Sequence, residues 1–317
     1  MTDQFTTAMQ LLLGDRPTLD DVQQAAGLLE AASAEGHAEA SERRSLLDAL
    51  GSARPPDWDR ALDHLALAAR QGSRLAQEQL LLLRDNQSDP VVPADADPEA
   101  WAKVRASIPL EQRMQPGETQ SLSDSPRIRL IRRFATPAEC RWLIALGRPQ
   151  LGPATVFDQS TGTQMLDPSR DNSFFVLRLG EMNVLTEVIR NRISAATRLP
   201  VPLFEPSQLL HYSVGQRFKL HHDFLDPANP AYAESLGTFG QRIATFLIYL
   251  NAGYSGGETS FPRIGLNYRA EPGDALFFAN VTRDGAPDPS TLHAGLPPTA
   301  GEKWVFSQWI RDRLPGR

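Results

Sequence analysis

From residue 207 to residue 310 the chain alternates short β-prone runs with Gly- and Pro-containing turns, and this rhythm limits the fold more than any other feature. The runs are 207–212, 218–224, 242–251, 259–261, 275–278 and 303–310. Many short strands broken by such turns fold as a closed or double-sheet β architecture.

One of these runs carries chemistry. Residues 212–223, Y-S-V-G-Q-R-F-K-L-H-H-D, end in His221 and Asp223, two positions apart. Alternate side chains of an extended strand share a face, so an imidazole and a carboxylate point into one space. They supply two of the three ligands of a facial 2-His-1-carboxylate site, which leaves neighbouring positions of a non-haem Fe(II) open. His293, 70 positions after Asp223, is the candidate third ligand. On the last run Lys303, Val305, Ser307 and Trp309 share one face. An unpaired ammonium is costly inside a protein, so an inward Lys303 needs an anion, and a dicarboxylate co-substrate provides one. His211 and His222 fall on the opposite parity and read as structural, while Tyr249 and Trp304 read as core.

Upstream the pattern is helical. From about residue 18 to 84 Leu and Ala recur every three to four positions. A shift of 36 residues superposes Ala25 on Ala61, Leu29 on Leu65, Ala32 on Ala68, Gly36 on Gly72, Ala40 on Ala76 and Leu47 on Leu83, which describes a repeated helix-turn-helix unit. Residues 85–97, D-N-Q-S-D-P-V-V-P-A-D-A-D, read as a linker. Beyond it a helix is expected over 98–113, a strand from 128, a helix over 136–147 capped by Thr136 with Pro137 in its first turn, a strand over 174–179 and a helix over 183–197. The expected division is therefore a helical-repeat domain (1–84), a linker (85–97) and a β-rich domain with flanking helices (98–317).

Charge follows the same division. Residues 1–98 hold 8 Lys and Arg against 17 Asp and Glu, and residues 99–317 hold 24 against 21. An acidic arm beside a nearly balanced remainder, with no concentrated basic stripe, excludes a general nucleic-acid binder. No apolar run reaches the roughly 18 residues of a membrane span. The N-terminus lacks the basic and apolar regions of a secretory signal, and Cys140 is the single cysteine. A cytoplasmic protein without membrane attachment is expected.

Taken in order and spacing, Y-S-V-G-Q-R-F-K-L-H-H-D-F, R-I-A-T-F-L-I-Y-L-N, G-G-E-T-S-F-P, E-P-G-D-A-L-F-F and L-H-A-G followed by G-E-K-W-V-F-S-Q-W-I resemble the prolyl 4-hydroxylase branch of the 2-oxoglutarate/Fe(II) dioxygenases. The likeness runs from about residue 127 to 313. It implies an α+β fold, a double-stranded β-helix (jelly-roll) with flanking helices, preceded here by the all-α repeats. It also implies Fe(II) on His221, Asp223 and His293, 2-oxoglutarate held by Lys303 and Thr259 with Tyr212 in contact, and Arg242 and Trp309 facing the prime substrate. Dioxygen is then the second co-substrate, ascorbate the reductant, and succinate and carbon dioxide the by-products of hydroxylation. Phe218 departs from the branch, which often has tyrosine there. The repeats resemble the Sel-one-like branch of the tetratricopeptide superfamily, which implies recruitment of a partner. The expected substrate is a prolyl or other residue of a protein or peptide; the alternatives are a free amino acid or small metabolite, or an interaction protein whose β domain has lost turnover. The excursions at 225–241 and 282–292 flank the candidate ligands and are expected to shape specificity.

Overall fold

The computed structural model describes residues 3–14, 17–52, 55–93, 97–153, 155–158, 163–166 and 169–314. The chain forms two compact units, residues 1–115 with 178–192, and residues 116–177 with 193–317.

The first unit is helical: α1 (Gln4–Leu12), α2 (Leu19–Ala34), α3 (Ala38–Leu50), α4 (Trp58–Arg70), α5 (Arg74–Arg84), α6 (Ala100–Ala106) and α7 (Leu110–Arg113). The 36-residue superposition has a physical basis. Ala25 and Ala61, Leu29 and Leu65, Ala32 and Ala68, Ala40 and Ala76, and Leu47 and Leu83 are all buried, so both copies turn the same positions inward. Gly36 and Gly72 end the first helix of each pair with φ of 95° and 97°, a backbone region that favours glycine. The residues that follow them, His37 and Ser73, cap α3 and α5 by accepting from the amides of Ala40 and Ala76.

Residues 98–115 group with this helical unit, whereas the linker composition suggests that the β-rich domain begins at residue 98. Arg105 pairs with Asp59 and Asp63 of α4 at 2.8 and 2.7 Å, and Arg113 donates to the Leu83 and Arg84 carbonyls. A proline-punctuated stretch marks where helix stops, not which neighbours the next helix takes. The described part of that stretch, 85–93, carries no regular structure. The later segment 178–192 joins the same unit: Arg43 donates to the Leu179 and Met182 carbonyls, and the Gln79 side chain accepts from the Leu185 amide.

The second unit opens with β1 (Thr119–Asp124) and β2 (Arg127–Ile131), followed by helix α8 (Pro137–Gly147), capped by a reciprocal Thr136–Glu139 box as the sequence suggests. Next come β3 (Gly152–Pro153), β4 (Thr155–Asp158), β5 (Thr163–Leu166), β6 (Ser173–Leu177) and helix α9 (Val184–Thr197), which begins in the helical unit and ends in this one. The remaining strands are β7 (Ser207–Tyr212), β8 (Phe218–His221), β9 (Arg242–Tyr249), β10 (Ser255–Gly256), β11 (Thr259–Phe261), β12 (Leu266–Tyr268), β13 (Ala275–Ala279), β14 (His293–Gly295), β15 (Pro298–Ala300) and β16 (Lys303–Arg311), with helix α10 (Ala233–Phe239) between β8 and β9.

Eight strands form one sheet in the order β1-β2-β13-β9-β16-β7-β6-β3, and four form a second in the order β12-β11-β14-β8. Both are antiparallel, the arrangement of a double-stranded β-helix. Their inner faces meet in an apolar core that includes Leu210, Tyr249, Phe261, Leu276, Phe278 and Val305. Strand β16 lies between β7 and β9, pairing Lys303 with Tyr212, Val305 with Leu210 and Tyr249, and Ser307 with Leu247. That register aligns the inward faces of three strands at one end of the core. Among the described residues no helix is long and apolar enough to cross a membrane.

Candidate active site

A cavity between the two sheets collects most of the residues that the sequence singled out. His221, Asp223, His293, Tyr212, Thr259, Lys303 and Trp309 line it. Lys303, Val305, Ser307 and Trp309 all face it, as strand alternation requires.

His221 is the last residue of β8 and His293 the first of β14, and the two are direct partners in the second sheet. Asp223 lies past the end of β8, in a bend, so extended-strand parity is not what turns its carboxylate inward. The Thr245 hydroxyl on β9 fixes it instead, donating to Asp223 Oδ2 at 2.6 Å, and Asn280 donates in turn to the Thr245 oxygen at 3.0 Å. His221 Nε2 stands 3.5 Å from Asp223 Oδ1, and His293 Nε2 stands 3.5 Å from Asp223 Oδ2. The donor atoms of the three residues all lie within 4.8 Å of one another.

The protonation pattern suits a cation. Nδ1 of His221 faces the Lys219 carbonyl at 2.7 Å and Nδ1 of His293 faces the Thr291 carbonyl at 2.9 Å. A carbonyl only accepts, so each Nδ1 carries a hydrogen, and each Nε2 is turned toward Asp223. Burial, and then the neighbouring His221, push His293 down to about 4, which keeps its ring neutral at pH 7. Burial alone would raise the Asp223 carboxyl, but His293, His221 and the Thr245 hydroxyl outweigh it and hold Asp223 ionised well below the usual carboxylate range. Two imidazole Nε2 atoms and an ionised carboxylate thus converge on one point. A divalent ion relieves that arrangement, so the donor set fits Fe(II).

Deeper in the cavity Lys303 is 2% exposed. Its Nζ donates to the Gly257 carbonyl at 2.7 Å and sits over the rings of Tyr212 and Tyr249 at 5.3 and 5.5 Å. Burial pushes this ammonium down to about 8, with Glu258 opposing the shift. Thr259 accepts from the Tyr249 hydroxyl at 2.7 Å. A buried cation beside an inward hydroxyl is a receptor for one carboxylate of a dianion.

Arg242, expected at the prime substrate, does not line the cavity. Its guanidinium pairs with both oxygens of Glu205 at 2.6 and 2.9 Å and lies 3.6 Å over the ring of Trp309, which does line it. His211 pairs with Glu302 at 2.8 Å, and His222 meets the Pro289 carbonyl at 3.1 Å, so both have the structural placement read from parity. Arg170 lines the cavity and escaped the sequence reading of the site, and Phe218, read there only as a departure from the branch, lines it too. Arg170 lies over the rings of Phe174 and Phe218 at 4.9 and 5.2 Å, and Phe218 stacks on the His221 ring at 3.6 Å. The isolated bridge between Arg170 and Phe218 brings them together, and no local periodicity announces it.

The 2OG-Fe(II) oxygenase superfamily profile matches residues 207–311. Probable prolyl 4-hydroxylase 10 of Arabidopsis thaliana is 37% identical over 210 residues, covering 60% of this chain and 70% of its own. Prolyl 4-hydroxylase 5 of the same plant is 38% identical over 209 residues, covering 60% and 69%. Among solved structures, the viral collagen prolyl hydroxylase from Paramecium Bursaria Chlorella virus-1 has a TM-score of 0.44 and 29% identity, covering 60% of this chain and 98% of its own. The extent and identity of the match to the plant proteins show that this chain belongs to the prolyl 4-hydroxylase family of 2-oxoglutarate-dependent oxygenases, which work with Fe(II), 2-oxoglutarate and dioxygen.

Proposed function

We propose that the protein hydroxylates a prolyl residue of a protein or peptide, with Fe(II) held by His221, Asp223 and His293. Bound there with 2-oxoglutarate and dioxygen, the iron supplies an oxidative decarboxylation that releases succinate and carbon dioxide and places oxygen on a C–H bond. The chain's own part is to bind, orient and exclude water. Lys303 and Thr259 receive the distal carboxylate of 2-oxoglutarate, with Tyr212 packed beside it. Thr245 keeps Asp223 turned toward the metal. Trp309, backed by the Arg242 guanidinium, forms a rigid wall against which the prime substrate lies.

The observation that carries this reading is the convergence of three metal-type donors and a buried ammonium in a single cavity. The choice of a prolyl residue rests on the relatives named prolyl 4-hydroxylases. In the same reading the helical repeats recruit the protein substrate. Phe218 favours a second reading, hydroxylation of a free amino acid, because its ring stacks on His221 and offers no hydroxyl to orient a peptide.

Succinate formation from 2-oxoglutarate decides between them. Purified protein is assayed under air with Fe(II) and ascorbate, alone and with proline-containing peptides or free proline. Stimulation by peptide supports the first reading, and stimulation by free proline alone supports the second. Wild-type turnover that persists in both His221→Ala and Asp223→Ala sinks the metal assignment.

A further inference from the structure

The β-rich unit has a second cavity, of about 260 Å³, lined by Leu203, Phe204, Glu205, Phe239, Arg311 and Arg313 among others. A thin wall connects it to the catalytic cavity. Trp309 faces the catalytic side, Arg242 lies 3.6 Å over the Trp309 ring, and Glu205, paired with the edge of the Arg242 guanidinium, lines the second cavity. The opposite wall is α10, part of the excursion that starts directly after Asp223.

Two features of this cavity stay open to a ligand, although the Arg311 guanidinium lies 5.9 Å over the Phe239 ring. Phe239 leaves 42% of its surface exposed at the cavity. Arg313 is exposed and donates to the Gly237 carbonyl at 3.0 Å, yet forms no salt bridge among the described residues. Arg311 is different. Its guanidinium is committed to Glu205 at 2.5 Å, to the Gly240 carbonyl at 2.7 Å and to the Ser235 hydroxyl at 3.2 Å, so it anchors α10 and has little left for a ligand.

We propose that this cavity is a subsite for the polypeptide substrate. It takes an apolar or aromatic side chain near the hydroxylated residue, with a neighbouring carboxylate meeting Arg313. The step from the Trp309 ring to the Arg242 guanidinium, 3.6 Å, and from there to the Glu205 carboxylate, 2.6 Å, already exceeds one residue of polyproline-II chain at about 3.1 Å. A free amino acid cannot reach across it. The subsite rests on the peptide reading above and gives that reading a means of discrimination, since a remote pocket adds affinity only for a substrate long enough to fill it.

The probes are a four-residue peptide with one proline and ten-residue peptides with Phe placed three residues before or after the proline and Glu or Lys beside the Phe. The variants are Phe239→Ala and Arg313→Glu, both at exposed positions. Phe239→Ala is expected to raise KM for the Phe-Glu peptides about tenfold. KM for the short peptide, kcat and succinate formation without peptide stay unchanged. Arg313→Glu is expected to reverse the preference from Glu- to Lys-bearing peptides, which loss of a purely structural contact does not do. Equal effects on both lengths, or no effect on either, overturn the subsite while leaving the peptide reading intact. A wild type that hydroxylates neither length overturns the peptide reading and the subsite with it.

Discussion

Lys303 is the residue whose ionisation most directly governs co-substrate capture in the proposed site. Its ammonium is buried, pushed down to about 8, and has no carboxylate within salt-bridge distance among the described residues. Only the protonated form attracts a carboxylate, so binding 2-oxoglutarate raises the pKa of the group and affinity declines on the alkaline side. KM for 2-oxoglutarate is expected to be flat below about pH 8 and to climb by up to about tenfold per pH unit above it. Lys303→Arg keeps its charge throughout that range and removes the climb, while Lys303→Ala gives a high, level KM. A wild-type KM that stays constant from pH 7 to 10 rules out this role. Lys303 was legible in the sequence because its position on a predicted strand gave its direction. Arg170 and Glu205 were not, since Arg170 is brought to the cavity by its bridge to Phe218 and Glu205 meets the site through Arg242, partners distant in sequence.

At the scale of elements, β7, β9, β11, β13 and β16 were legible to within two residues, whereas β8 stops three residues before the expected end and β14, which carries His293, was not expected as a strand. Their inward positions are apolar or chemically special. What parity could not supply was the fate of the chain after a strand stops: Asp223 reaches the site from a bend held by Thr245, and the excursion after it folds into α10. The repeats were legible for a different reason, since each copy needs the same small buried residues and the same left-handed turn. Gly36 and Gly72 both have positive φ, and an added Cβ at either meets nothing within 4 Å. Alanine there strains the backbone without creating a clash. Gly36→Ala and Gly72→Ala are each expected to cost about 1–2 kcal/mol, measured by chemical denaturation of the helical transition. A difference of more than about 1 kcal/mol between them means that the two turns are not equivalent.

At the scale of the whole chain, the helical unit is not one continuous stretch, because the chain leaves it at residue 115 and returns to it at 178–192. Composition could mark the proline-rich stretch at 85–97 but not this return, which depends on contacts between segments more than 60 positions apart. Leu185 uses the Gln79 side chain, Arg43 holds two carbonyls of the returning segment, and Arg192 donates to the Arg113 carbonyl at 2.6 Å. Val184, Leu185, Val188 and Ile189 of the returning segment are fully or nearly fully buried. A chain cut to residues 116–317 keeps every proposed metal and 2-oxoglutarate residue, yet it strips those side chains of the helical unit's share of their burial. Full exposure of one such side chain costs about 1.5–3 kcal/mol, and the buried amide and carbonyl groups lose partners as well. The truncated protein is therefore expected to melt at a lower temperature and to exchange its 184–192 amides faster than the full chain. Residues 1–115 supplied as a separate polypeptide should restore both properties. If residues 116–317 alone match the full chain in melting temperature and exchange, the returning segment is not a structural part of the helical unit, and the repeats become a removable arm whose only candidate role is recruitment.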